Sequence, residues 1–134
     1  MSKVKIGLAG LGRLGKEYAQ NIQYKSPNAE LIAVCSLVKD ELAYAKSKLG
    51  IEMCFSSFEE MIEKSNLDAI AILTPTKYHA EQIIFSLKNG LHVFSEKPLA
   101  ISIEDCLKAE KEAKKHPDLV SCVGFVRRYD ESYM

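Results

Sequence analysis

Val4-Lys5-Ile6-Gly7-Leu8-Ala9-Gly10-Leu11-Gly12-Arg13-Leu14-Gly15 decides the fold. Val4 to Ala9 is a short, mostly apolar run that ends on glycine, the pattern of a buried strand. From Arg13 to about Lys25 the apolar residues Leu14, Tyr18, Ala19 and Ile22 follow helical spacing. The join between them has the form G-x-G-x-x-G. Alone this is a weak signal, but here it follows a strand and opens a helix. Each glycine then has a mechanical reason: Gly10 permits a tight turn, Gly12 lets backbone approach a pyrophosphate, and Gly15 lets helix pack close to strand. The free N–H groups around Arg13 and Leu14 at the helix start face the phosphates. The loop therefore predicts a dinucleotide site, against the bland alternative of an ordinary glycine-bearing turn.

Outward from this loop the apolar period keeps switching. Strands are expected at Glu30–Ser36, Met53–Phe55, Asp68–Leu73, Leu91–Ser95 and Leu119–Phe125. Helices are expected from Asp40 to Leu49, after a capping box at Ser57 and Glu60, from Thr76 to Asn89, and from Ser102 onward. Strands alternating with helices predict an α/β fold. It is a doubly wound parallel sheet of the Rossmann type, with strand order 3-2-1-4-5-6. With 134 residues, 47% of them hydrophobic, there is core for one domain and little more. We place that domain at residues 1–125. The polar and aromatic tail 126–134 breaks the pattern and reads as the start of a second domain.

Lys plus Arg and Asp plus Glu balance at 18 each, giving no electrostatic reason to expect nucleic acid or an anionic membrane as partner. No apolar run approaches the ~18 residues of a membrane span, and the start shows no signal-peptide h-region. A cytoplasmic location is the expectation. Cys35, Cys54, Cys106 and Cys122 form no C-x-x-C pair; Cys35 and Cys122 fall in apolar strands and read as reduced core thiols.

The end of the second strand should choose the cofactor, since an acid there bonds the adenosine ribose and repels a 2′-phosphate. The position ~20 residues beyond the loop holds Ser36, with Lys39 three residues later. A hydroxyl and a cation lean slightly toward NADP over NAD, although Asp40 and Glu41 stand close enough to serve the ribose.

Two further strand ends carry unusual residues. Thr74-Pro75-Thr76-Lys77-Tyr78-His79 follows the fourth strand and Glu96-Lys97-Pro98 the fifth. In open parallel sheets both should face the crevice of the glycine loop. A lysine there can bond a substrate hydroxyl and tune proton transfer as a carbonyl forms. Glu96 could orient it and Pro98 fix the turn. Taken singly, an E-K-P is more often a solvated turn, and a lone His79 near a helix start is more often structural.

Together, GLGRLG, TPTKYHAE (Thr74 to Glu81), HVFSEKPLA (His92 to Ala100) and VGFVRRYD (Val123 to Asp130) resemble the Gfo/Idh/MocA oxidoreductases, nearest to the inositol dehydrogenases among them. The resemblance runs in order over essentially the whole chain. It implies hydride transfer between a nicotinamide cofactor, NAD or NADP, and a secondary alcohol of a polyol or sugar. It implies that Lys97 contacts the reacting hydroxyl and the nicotinamide ribose, that Glu96 supports Lys97, and that Thr74, Pro75 and His79 line the nicotinamide end, with Thr76 and Pro98 in the same loops. Arg127 would reach toward substrate. Val126 stands where inositol-type members carry Met, and Ser36 where they usually carry Asp. Family members add a second α/β domain that assembles a homo-oligomer and supplies an Asp and a His to the site. Of the three histidines here, neither His92 nor His116 suits that role, so the expectation is a cofactor half with little turnover alone. The competing reading is a nucleotide sensor or regulator of the same fold, against which the intact E-K-P argues. An amino-acid dehydrogenase is a weaker third, since those lack that motif.

Overall fold

The computed structural model describes residues 2–125. Residues 126–134, and with them Arg127 and Val126, lie outside the described residues. Six strands, β1 (Val4–Ala9), β2 (Ala29–Cys35), β3 (Met53–Phe55), β4 (Ala69–Ile72), β5 (His92–Glu96) and β6 (Ser121–Gly124), alternate with five helices, α1 (Arg13–Lys25), α2 (Lys39–Lys48), α3 (Phe58–Lys64), α4 (His79–Lys88) and α5 (Ile103–Lys114). The strands form one sheet in the order β3-β2-β1-β4-β5-β6, as expected. Every neighbouring pair is parallel. β1 and β4 sit side by side although two strands separate them in sequence; this is the switch point at which the winding reverses.

Alternation along the strands divides the core between the two faces. Leu8, Leu31, Val34 and Ala71 point to the side covered by α1 and α2, where Ala19, Ala45 and Leu49 meet them. Ala9, Ala33, Ile70, Ile72 and Val93 point to the other side, against Met61 of α3, Ile83 and Leu87 of α4 and Ala109 of α5. Burying one such Leu or Ile side chain contributes about 1.5–3 kcal/mol, so the two layers together dominate the favourable terms. No helix among the described residues is long and apolar enough to cross a membrane.

The helix ends follow local chemistry. Ser57 Oγ accepts from the Glu60 amide at 3.2 Å and Ser102 Oγ from the Asp105 amide at 3.1 Å, capping α3 and α5. The expected reciprocal half of the Ser57–Glu60 box does not form, because the Glu60 carboxylate takes Lys64 at 2.6 Å instead. Gly90, with φ 78, closes α4 in the left-handed conformation that favours glycine.

Three expectations need correction. The helix expected from Thr76 begins as a single 3₁₀ turn over Thr76–Tyr78, closed by Tyr78 N donating to the Pro75 carbonyl at 3.0 Å; α4 proper starts at His79. β6 is shorter than Leu119–Phe125, since Val120 N is diverted to His92 Nδ1 at 2.9 Å. Cys35 is buried as expected, but Cys122 is exposed on the outer strand.

Candidate functional site

A cleft of about 920 Å³ opens at the carboxyl ends of β1, β2 and β4. Among its lining residues are Gly10, Gly12, Ser36, Glu41, Thr74 and Pro75. Gly10 has φ 95, and a Cβ there would stand 2.5 Å from the Leu73 carbonyl oxygen, so the turn requires glycine and its close approach to the β4 loop. A Cβ on Gly12 would meet no protein atom within 4 Å; its missing side chain clears space in the cleft itself. A Cβ on Gly15 would collide with the Gly10 carbonyl oxygen, so this glycine closes the helix onto the loop rather than onto the strand. Gly12 also starts α1 with no side chain capping it, which leaves the opening N–H groups free for an acceptor in the cleft. Arg13 and Leu14 are exposed at that helix start. A pyrophosphate fits this donor set: open backbone, uncapped helix, no side chain in the way.

At the end of β2 the Ser36 hydroxyl donates to Glu41 Oε1 at 2.6 Å and accepts from Val38 N at 3.0 Å. Lys39 is exposed and absent from the cleft lining. The carboxylate that meets Ser36 in the cleft comes from the first turn of α2. Cys35 lies beneath; burial, with Glu59 adding to it, pushes its thiol up to about 11, which keeps it protonated.

Beyond β4, Thr74 and Pro75 line the cleft and the Thr74 hydroxyl donates to Gln82 Oε1 at 2.6 Å. Thr76 opens the 3₁₀ turn, and Lys77 and Tyr78 also line the cleft. His79 does not: it is 1% exposed, with Nδ1 2.8 Å from the Pro98 carbonyl oxygen and Nε2 2.6 Å from that of Thr74. One ring proton serves one of these acceptors, and only the imidazolium serves both. The ring thus sits under the two loops, against a carbonyl oxygen of each.

At the end of β5, Glu96 is 8% exposed. Its Oε2 accepts from the Lys97 backbone amide at 2.9 Å, and its Oε1 accepts from the Tyr18 hydroxyl at 2.8 Å. Glu96 thus supports Lys97 through its backbone, not through its ammonium. Lys97 and Pro98 are exposed, joined by a cis peptide. Because β1, β4 and β5 are parallel neighbours, Lys97 emerges on the same edge of the sheet as the glycine loop. Burial first, then the hydrogen bond and charge of Glu96, push the Tyr18 phenol up to about 12, so Tyr18 donates throughout the physiological range.

Tyr18 and Gln82 carry parts of this site that the sequence reading missed. Tyr18 shows in the sequence only as one member of the apolar stripe of α1, and its partner is 78 residues away. Gln82 lies eight residues beyond Thr74 and looks like ordinary helix surface.

The geometry has close counterparts. Residues 4–124 match the family model described as "Oxidoreductase family, NAD-binding Rossmann fold". The chain is 37% identical to the scyllo-inositol 2-dehydrogenase (NAD(+)) of Bacillus subtilis, across 98% of this chain and 38% of that protein. It is 36% identical to the myo-inositol 2-dehydrogenase of Thermotoga maritima, across 97% of this chain and 38% of that protein. The crystal structure of scyllo-inositol dehydrogenase from Lactobacillus casei with bound NAD(H) and scyllo-inositol superposes with a TM-score of 0.96 at 42% identity, covering 98% of this chain and 39% of that one. The chain thus spans well under half the length of these relatives. By its family match over residues 4–124, its glycine cradle and its strand order, this chain belongs to the Gfo/Idh/MocA oxidoreductase family and is an NAD-binding Rossmann domain.

Proposed function

We propose that this chain is the cofactor-holding part of a dehydrogenase that moves a hydride between NAD and a secondary alcohol of an inositol-like polyol or sugar. The observation that carries it is the position of Lys97: an exposed ammonium on a turn held from below, at the same sheet edge as the glycine cleft. Bound NAD supplies the hydride acceptor. The backbone at Gly12 and the start of α1 hold the pyrophosphate, and Thr74 and Pro75 flank the nicotinamide end. Lys97 Nζ would donate to the substrate hydroxyl oxygen and stabilise the negative charge that builds there as its proton leaves to a base supplied by the second domain. Glu96 and His79 act as positioning residues, one on the Lys97 amide and the other on the Pro98 carbonyl.

NAD is favoured over NADP. The lean toward NADP drawn from Ser36 and Lys39 loses support once the Ser36 proton is committed to a carboxylate and Lys39 stands outside the cleft lining. The relatives named above point the same way: one is called NAD(+)-dependent and one binds NAD(H) with scyllo-inositol. Residues 126–134 would begin a second domain that completes the substrate site and assembles the oligomer, with Arg127 toward substrate. The deciding experiment is calorimetric titration of the 134-residue chain with NAD, paired with an absorbance assay for NADH formation from myo- and scyllo-inositol. We expect saturable NAD binding and negligible turnover. Robust turnover would refute the need for groups beyond this chain, and absence of NAD binding would refute the function.

A further inference from the structure

The β2 end of the cleft carries an unassigned carboxylate. Ser36, not an acid, stands at the end of the strand, with its amide pinned to the Phe55 carbonyl at 3.0 Å. Ser36 is 6% exposed, and its hydroxyl spends its one proton on Glu41 Oε1 at 2.6 Å. Val38 N donates to the same hydroxyl, so the Ser36 oxygen is held from two sides. Glu41 is half-buried and lines the cleft beside Ser36, Leu37 and Val38.

We propose that Glu41, oriented by Ser36, selects NAD over NADP by accepting the adenosine ribose hydroxyls. This rests on the reading of the cleft as an NAD site. An ionised carboxylate is acceptor-only, with room for several donors. Ser36 occupies one oxygen, which leaves the other to accept from donors such as the 2′- and 3′-hydroxyls of a ribose. A 2′-phosphate brings negative charge and no strong donor, so it meets repulsion instead. The charged residues lining the cleft are Glu41, Glu59, Glu81 and a single cation, Lys77, which belongs to the loop after β4 rather than to the β2 end. The acid that dinucleotide folds usually take from the strand end is here delivered from one turn into the next helix, and the serine that replaces it becomes its anchor.

The test is calorimetric titration of the chain with NAD and with NADP, for wild type, Glu41→Gln, Ser36→Ala and Glu59→Gln, with far-UV circular dichroism confirming that each variant folds. Wild type should bind NAD at least about tenfold more tightly than NADP, as like-charge juxtaposition demands. Glu41→Gln should shrink that ratio by about tenfold, Ser36→Ala should shrink it partly, and Glu59→Gln should leave it within about twofold. A ratio unchanged in Glu41→Gln, or one moved equally by Glu59→Gln, overturns the assignment while leaving the cleft an NAD site. Failure of wild type to bind either nucleotide overturns the cleft reading and the assignment with it.

Discussion

Replacing Tyr18 by Phe deletes one hydroxyl and leaves the ring. The ring keeps its packing against Phe94, with centroids 5.7 Å apart, so the loss isolates the 2.8 Å bond to Glu96. Glu96 is 8% exposed, so water replaces the lost donor poorly. A hydrogen bond to a charged partner contributes about 1.5–3 kcal/mol, and we take ~2 kcal/mol as the expected loss. In urea, with a slope of ~2 kcal/mol per molar for a domain of this size, the midpoint should fall by about 1 M. Circular dichroism is the suitable probe, because the chain has no tryptophan. A second readout comes from alkaline pH. The folded phenol is pushed up to about 12 from 10.0, so its contribution is fully present below pH 10 and is lost as pH rises through 12. The stability gap between wild type and Tyr18→Phe should therefore narrow between those two values. A midpoint shift below about 0.2 M, or a gap that stays constant through that window, would refute the role assigned to Tyr18.

Other outcomes follow from the same geometry. Gly12→Ala adds a methyl to open space at an ordinary φ of −67, so thermal stability should change by less than about 0.5 kcal/mol while calorimetry shows NAD affinity falling sharply. Gly15→Ala forces a Cβ into the Gly10 carbonyl, and should lower both melting temperature and NAD affinity. His79→Ala empties a buried ring and orphans the acceptors at Thr74 and Pro98, so denaturant unfolding should show a loss of about 3–5 kcal/mol. Under limited iodoacetamide at pH 8, mass spectrometry should find Cys122 modified first and Cys35 last, since one is exposed and the other is buried with its thiol near 11.

The parts legible in the sequence are those set by local periodicity. β1 and α1 lie where the pattern of Val4 to Lys25 puts them, and the strand order follows from right-handed crossovers. Gly10 and Gly15 announce the cleft because each meets a backbone constraint within a few residues or across one neighbouring strand, while Gly12 leaves open space between them. What stayed hidden depends on tertiary neighbours. Ser36 looked like a donor to a 2′-phosphate because its sequence neighbours say nothing about rotamers; only the folded α2 brings Glu41 onto its hydroxyl. His79 looked like a lining residue, and its burial follows from how the β4 and β5 loops converge over it. Cys122 read as core because its strand is apolar, yet that strand is the outermost of the sheet.

The bond from Tyr18 to Glu96 also bears on protein engineering. Helix α1 meets the cleft at its first turn and holds the Glu96-Lys97-Pro98 turn from its second. A graft that moves only Gly10 to Gly15 into another scaffold carries the phosphate cradle without its registration to Lys97. The smallest transferable module runs through Tyr18 and includes Glu96 as its receptor, so a chimera should be cut after the second turn of the helix rather than after the last glycine.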